Sequence, residues 1–137
     1  MNQINAGYCE VEHTADWQLQ VWAPDLSGLL EQSARGMYAL SGLKLLTEPR
    51  IQQHLRFPLH EPERLLVAFL SELLWLAENQ GLGFDYFEFT WGENDLDVRI
   101  IGAPIEAQTK EIKAVTYHNL VVQHTEAGFS ASIVFDV

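Results

Sequence analysis

Carboxylate and imidazole side chains lie close together in one short segment of the sequence. Glu12, His13 and Asp16 fall where an otherwise alternating strand pattern is interrupted, and loops beside a rigid sheet often carry function. A competing interpretation is that Thr14 and Asp16 only form a turn through hydrogen bonds to their own backbone. The sequence alone leaves both interpretations open.

A second acidic group stands at the other end of the sequence. Asp136 projects from the opposite strand face to its apolar neighbours, and Val137, as the last residue, would carry a free carboxylate. If the first and last strands lie near one another, Asp16, Asp136 and the Val137 carboxylate gather three anionic groups, and a cation would offset their repulsion. Oxygen ligands suit calcium, magnesium or manganese, and His13 could join or orient them. The competing interpretation leaves the terminal carboxylates in solvent.

The composition limits the classes of protein that this chain can belong to. Its 137 residues, 47% of them hydrophobic, predict one compact domain over residues 1–137. The net charge of −11 disfavours tight nucleic-acid binding but suits a basic protein partner or a cation. No apolar run approaches the roughly 18 residues of a membrane span, and the first residues do not resemble a signal peptide. We therefore expect no membrane association and a cytoplasmic location.

The hydrophobic periodicity predicts strands at both ends of the chain with two helices between them. Period-two alternation predicts strands, and recurrence at three and four residues predicts helices. Together these elements indicate an α+β fold with helices on a mainly antiparallel sheet. The predicted elements are two strands within 6–22, a helix over 26–40 capped by Asp25, a strand over 50–59, a helix from Pro62 to near Gly81, a hairpin of 84–91 with 96–101, and a hairpin of 115–123 with 129–137.

The sequence lacks the motifs of several common classes of enzyme and nucleotide-binding protein. There is no glycine-rich phosphate loop, no GxSxG and no HExxH. The single cysteine, Cys9, falls in an alternating stretch where a buried position is expected. The segment from Lys110 to His118 is denser in functional groups, and there we expect Lys113 to be solvated and Val115 and Tyr117 to point inward.

Four segments together resemble the archease family. They are Glu12-His13-Thr14-Ala15-Asp16, Leu70-Ser71-Glu72-Leu73-Leu74, the run from Glu111 to His118, and Val134-Phe135-Asp136-Val137. The resemblance implies a fold in which one strand-helix-strand-strand module is inserted into another. It also implies that the metal ligands are Asp16, Asp136 and the terminal Val137, with His13 and Lys113 nearby, and that calcium is the preferred cation.

The same resemblance implies a function in tRNA splicing or RNA repair. The chain would be a cofactor protein, not itself an enzyme, that activates an RtcB-type RNA ligase by promoting its guanylylation and turnover. GTP and manganese would belong to the partner ligase. The sequence leaves two alternatives open: a metal-dependent hydrolase or phosphatase built on the same acidic cluster, and a chaperone-like protein-binding module.

Overall fold

The computed structural model describes residues 6–11 and 17–137 of the chain. Within these ranges it contains nine strands and two helices, which confirms the α+β prediction. The elements are β1 (Gly7–Val11), β2 (Trp17–Ala23), α1 (Leu26–Ser41), β3 (Lys44–Leu45), β4 (Ile51–Pro58), α2 (Pro62–Gln80), β5 (Leu82–Trp91), β6 (Asp95–Ala107), β7 (Ala114–Thr116), β8 (Gln123–Thr125) and β9 (Gly128–Asp136).

The strands form two antiparallel sheets that are interleaved along the chain. The larger sheet has the order β1-β2-β9-β7, and β8 also pairs with β9. In the smaller sheet, β3, β4 and β5 all pair with the long strand β6. The smaller sheet and α2 therefore form an insertion between α1 and β7. This arrangement confirms the predicted insertion of one strand-helix-strand-strand module into another.

Both helices begin and end where the local sequence favours it. The Asp25 carboxylate accepts a hydrogen bond of 2.7 Å from the main-chain N–H of Gly28, which caps the start of α1. Pro62 opens α2, where its missing N–H costs nothing. Gly42 and Gly81 end the two helices with φ of 65° and 67°, a left-handed conformation that favours glycine. Neither described helix is long and apolar enough to cross a membrane.

A single apolar core joins the helices to both sheets. On the larger sheet, Leu19 of β2 and Ile133 and Phe135 of β9 are fully buried. α1 packs on β1 and β2, whereas α2 contacts β4 and β5 of the smaller sheet and β7 of the larger one. Phe69 of α2 makes edge-to-face contacts with Phe57, Phe87 and Phe89. The second helix therefore connects the inserted module to the rest of the domain.

The predicted strand over 115–123 is wrong, because the chain leaves the sheet between β7 and β8. Asn119 adopts a left-handed φ of 53°, and the main-chain N–H of Leu120 donates to the carbonyl of Tyr117 at 3.0 Å. This turn buries Leu120 and leaves Tyr117 57% exposed, so Tyr117 does not point inward. Apolar alternation continued through the segment and concealed the turn.

Smaller differences from the sequence-based prediction follow from the edges of the sheets. Cys9 is exposed rather than buried, because β1 is an edge strand with one covered face. The short strand β3 was not predicted, since two residues are too few to show a period. Strand β6 continues to Ala107, beyond the predicted end at Ile101, because its final residues pair with β3.

We predict that Leu73→Ala lowers the free energy of unfolding by about 2–5 kcal/mol, because Leu73 is fully buried on the inner face of α2 and its truncation leaves a cavity. The neighbouring Glu72→Ala, at a half-buried position on the same helix, is the control and should cost much less. Urea unfolding of the two variants measures the difference. The reverse ranking would show that the buried face of α2 has been misassigned.

Candidate metal centre at one end of the larger sheet

Pairing of β2 with β9 places Trp17 and Phe135, the sequence neighbours of Asp16 and Asp136, side by side in the larger sheet. The strands are antiparallel, and Trp17 is the register partner of Phe135. In the chain, Trp17 directly follows Asp16, and Phe135 directly precedes Asp136. The last strand thus lies beside β2, which follows Asp16 in the sequence, and β2 separates it from the first strand, β1. Asp16 and His13 themselves lie outside the described residues.

Asp136 occupies the end of a well-supported strand. The side chain of Phe135 is fully buried, whereas that of Asp136 is exposed on the opposite face, as the strand alternation predicts. The carbonyl of Asp136 accepts a hydrogen bond of 2.8 Å from the main-chain N–H of Lys113. Val137 is half-buried and packs against the core. The main chain at Asp136 is thus held on the side of β7.

Lys113 lies beside Asp136 at the end of β9, a nearness that the family resemblance implied. It directly precedes β7, whose first residue, Ala114, is the register partner of Asp136. Its side chain is exposed, in agreement with the prediction that it is solvated. The structure therefore brings the main chains of Lys113 and Asp136 together, and both side chains are exposed.

Two residues that sequence reasoning missed, Trp17 and Lys110, also adjoin this end of the sheet. The Lys110 ammonium lies 5.1 Å from the centroid of the Trp17 ring, a cation–π contact. The segment before it is held on the end of α1, because the N–H groups of Thr109 and Lys110 both donate to the carbonyl of Ser41 at 3.0 Å. No periodicity in the sequence relates Lys110 to Trp17, so only the fold reveals the contact.

A groove of about 210 Å³ runs between α2 and the edge strand β7 next to the candidate centre. Trp75 of α2 is 49% exposed and lines this groove together with Lys113. Ser71, Leu74, Glu78 and Ala114 complete most of the lining. A half-exposed tryptophan beside a lysine is a feature of protein-binding surfaces, whose anchors are enriched in aromatic residues. The helical periodicity of the sequence did not indicate this role, since Trp75 falls outside the apolar stripe.

The described side chains supply only part of the predicted ligand set. Within residues 6–11 and 17–137, no three His, Cys, Asp or Glu side chains are grouped so as to hold a metal ion. Of the predicted ligands, the structure describes the side chain of Asp136, whereas Asp16 lies outside the described residues and the main-chain carboxylate of Val137 stays a prediction. Carboxylate oxygens on a fixed main chain fit the chemistry of a hard divalent cation.

The carboxylates with displaced pKa values lie elsewhere, on the smaller sheet. A hydrogen bond from the Arg50 guanidinium holds the pKa of Asp85 below its usual range, and Arg99 lowers the pKa of Glu88 in the same way. Each pair joins neighbouring segments at the protein surface. We interpret them as structural ion pairs, because each carboxylate already has its basic partner.

We predict that Gly42→Ala destabilises the protein by about 1–3 kcal/mol, because alanine would combine a left-handed φ with a clash against Thr109, which precedes Lys110. Gly81→Ala is a matched control: its φ is also positive, but an added Cβ would meet nothing within 4 Å. Thermal melts compare the two. Equal losses would contradict the tight docking of the Lys110 segment on α1.

Comparison with known proteins identifies the family of this fold and site. Residues 8–137 match the model of the Archease protein family (MTH1598/TM1083). Protein archease from Methanosarcina acetivorans is 31% identical over 144 aligned positions, covering 95% of each chain. Protein archease from Methanopyrus kandleri is 30% identical over 136 positions, covering 93% of this chain and 97% of that protein.

Solved structures agree with the sequence comparison. The crystal structure of an archease, described as a possible chaperone, from Thermotoga maritima has a TM-score of 0.70 at 26% identity and covers 93% of this chain and 94% of that one. The solution structure of protein 1598 from Methanobacterium thermoautotrophicum shares the fold, with a TM-score of 0.70 at 18% identity. Because the family model spans nearly all of the sequence and the relatives match over almost their full length, this chain belongs to the archease family.

Proposed function

We propose that this chain is an accessory protein that activates an RtcB-type RNA ligase in tRNA splicing or RNA repair. It promotes guanylylation of the ligase and its turnover, works in the cytoplasm and catalyses no reaction alone. Membership of the archease family supports this proposal. The net charge of −11 supports it as well, since an acidic surface suits a basic protein partner better than RNA.

One observation carries the proposal, namely the pairing of Trp17 with Phe135. It supports a cation site shared by Asp16, Asp136 and the terminal carboxylate of Val137, because Asp16 adjoins Trp17 in the sequence and Asp136 adjoins Phe135. Calcium is the cation we favour, and magnesium or manganese would satisfy the same oxygen ligands. GTP and the catalytic manganese belong to the ligase.

The bound cation supplies positive charge that offsets the repulsion among the carboxylates. His13 and Lys113 complete the proposed site: His13 orients a ligand carboxylate, and the exposed Lys113 ammonium faces the partner. Because Asp136 and Lys113 are joined through the main chain, the acidic and basic groups reach the ligase in a fixed relation. This fixed relation is the chain's contribution to activation.

The groove lined by Trp75 and Lys113 is the surface through which we propose that the ligase docks. Trp75 and Tyr117 are both about half exposed at or near β7 and can be buried against a partner at no cost to the fold. Burial of such aromatic anchors supplies most of the binding energy in many interfaces. The chain's net charge of −11 adds attraction to a basic partner.

The proposal predicts that Asp16→Ala and Asp136→Ala abolish stimulation of ligase guanylylation while leaving the metal-free melting temperature nearly unchanged. These carboxylates are ligands and do not fill the core. Asp97→Ala is the matched control, since it removes a surface aspartate paired with Arg56 on the smaller sheet. Incorporation of labelled GMP into a purified RtcB-type ligase measures the effect.

Lys113→Ala should also reduce stimulation, with Lys44→Ala as its control.

A second pair of variants tests the terminal carboxylate. Adding one alanine after Val137 moves the carboxylate and should abolish stimulation, whereas Val137→Ala keeps the carboxylate in place and should preserve it. Full activity of the extended chain removes Val137 from the site. If the aspartate variants remain active but Trp75→Ala does not, the groove alone matters and the chaperone-like alternative is favoured.

We further predict that the purified protein alone neither joins RNA ends nor binds GTP or tRNA with micromolar affinity. It has no phosphate loop, and its charge of −11 opposes polyanions. Ligation assays and calorimetry at physiological salt provide the measurements. Turnover of an RNA or phosphate ester in the absence of a ligase would instead support the hydrolase alternative.

A further inference from the structure

The outer face of the larger sheet, opposite the core, carries a groove of about 390 Å³. Its lining includes Gln20, Trp22, Asn119, Val121, Gln123 and Ser130. We call it the outer groove. Its volume is within the range of small-molecule sites. It is separate from the candidate metal centre, which lies at the end of the same sheet.

The register of the strands explains why this face is concave. Ser130 of β9 is paired with Trp22 of β2 on one side and with Gln123 of β8 on the other. In the next row, Ser132 is paired with Gln20. Short serine side chains on the central strand thus lie between longer side chains on its neighbours. The result is a trough with a hydroxyl-lined floor along β9.

The segment between β7 and β8 forms a fixed wall of the outer groove. It is anchored inside by Leu120, which is buried, and by the main-chain N–H of Val122, which donates to the Glu63 carboxylate of α2 at 2.8 Å. Between these anchors, Val121 is 58% exposed and lines the groove. Because this segment is anchored at both ends, it loses little conformational entropy when a ligand binds.

Trp22 provides an aromatic surface whose position is fixed by a glycine. A Cβ at Gly7 would lie 2.6 Å from the Trp22 ring, so the indole lies across the backbone of β1 where only glycine leaves room. The residue remains 37% exposed and lines the outer groove. A ring supported from below in this way is suited to stacking against a flat ligand.

The chemistry of this lining points to an uncharged, planar ligand. Of the residues that the structure places around the outer groove, none is charged, although 20% of the chain is. The carboxamides of Gln20, Asn119 and Gln123 each offer a donor beside an acceptor, which is the pattern on the edges of nucleobases. Aromatic side chains stack on bases of any sequence. The chain's net charge of −11 opposes any phosphate that accompanies the base.

From these observations we propose that the outer groove binds a nucleobase, stacked against Trp22 and hydrogen-bonded along its edge by the carboxamides. The site goes beyond the proposed activation of a ligase and does not depend on it. Binding is weak for a free nucleoside, and weaker still for the corresponding mononucleotide because of its phosphate. This ranking is opposite to that of a phosphate-binding site.

Two-dimensional NMR of the labelled full chain tests the proposal with adenosine, cytidine, adenosine monophosphate and glucose as probes at up to about 10 mM. The nucleosides should shift the Trp22 indole N–H, the carboxamides of Gln20 and Gln123, and the Ser130 amide. Adenosine monophosphate should shift the same signals less. Glucose should leave them unchanged.

Three variants make the assignment specific. Gln123→Leu, at an exposed position, should weaken nucleoside binding several-fold while the fold is retained, and Trp22→Ala should remove it. Trp75→Ala, which changes another exposed tryptophan on α2, should have no effect on it. The proposal is overturned if the nucleosides shift no groove signal, if glucose shifts the same signals equally, or if Gln123→Leu binds like the unmodified protein.

Discussion

The pairing of β2 with β9 is the interaction on which the other features of the structure depend. Its ladder runs from Trp17 opposite Phe135 to Ala23 opposite Phe129 and joins the first part of the chain to the last. One face of the ladder forms the core against α1. The other face carries the outer groove, and Asp136 lies at one end. The inserted module lies between β2 and β9 in the sequence, and the pairing of these two strands brings its two ends into one domain.

The elements that could be predicted from the sequence are those whose buried face and ends follow from the residues of the element itself. The stripe of α2 is buried on one face over many turns, and Asp25 and Gly81 mark helix ends by local backbone chemistry. The break between β7 and β8 could not be predicted in this way. There, apolar residues alternate through a turn at Asn119, and tertiary contacts decide which of them, such as Leu120, are buried.

The residues of the candidate site likewise fall into those that the sequence indicated and those that only the fold reveals. Residue type and strand alternation identified Asp136, and the family resemblance implied that Lys113 is nearby; a main-chain hydrogen bond joins the two residues in the structure. The contact of Lys110 with Trp17 and the exposed position of Trp75 depend on packing between distant segments, so no local pattern indicated them. Asp16 and His13 lie outside the described residues and remain predictions.

Paramagnetic broadening by Mn²⁺ tests the central claim most directly, because it locates a bound cation without a ligase. In a titration of the labelled protein, we expect the amide signals of Trp17, Lys113 and Ala114 to broaden first, and added Ca²⁺ to restore them. Asp136→Ala should prevent this selective broadening. Uniform broadening over exposed carboxylates such as Glu78 and Glu126, with no preference for the ends of β2 and β9, would contradict the account.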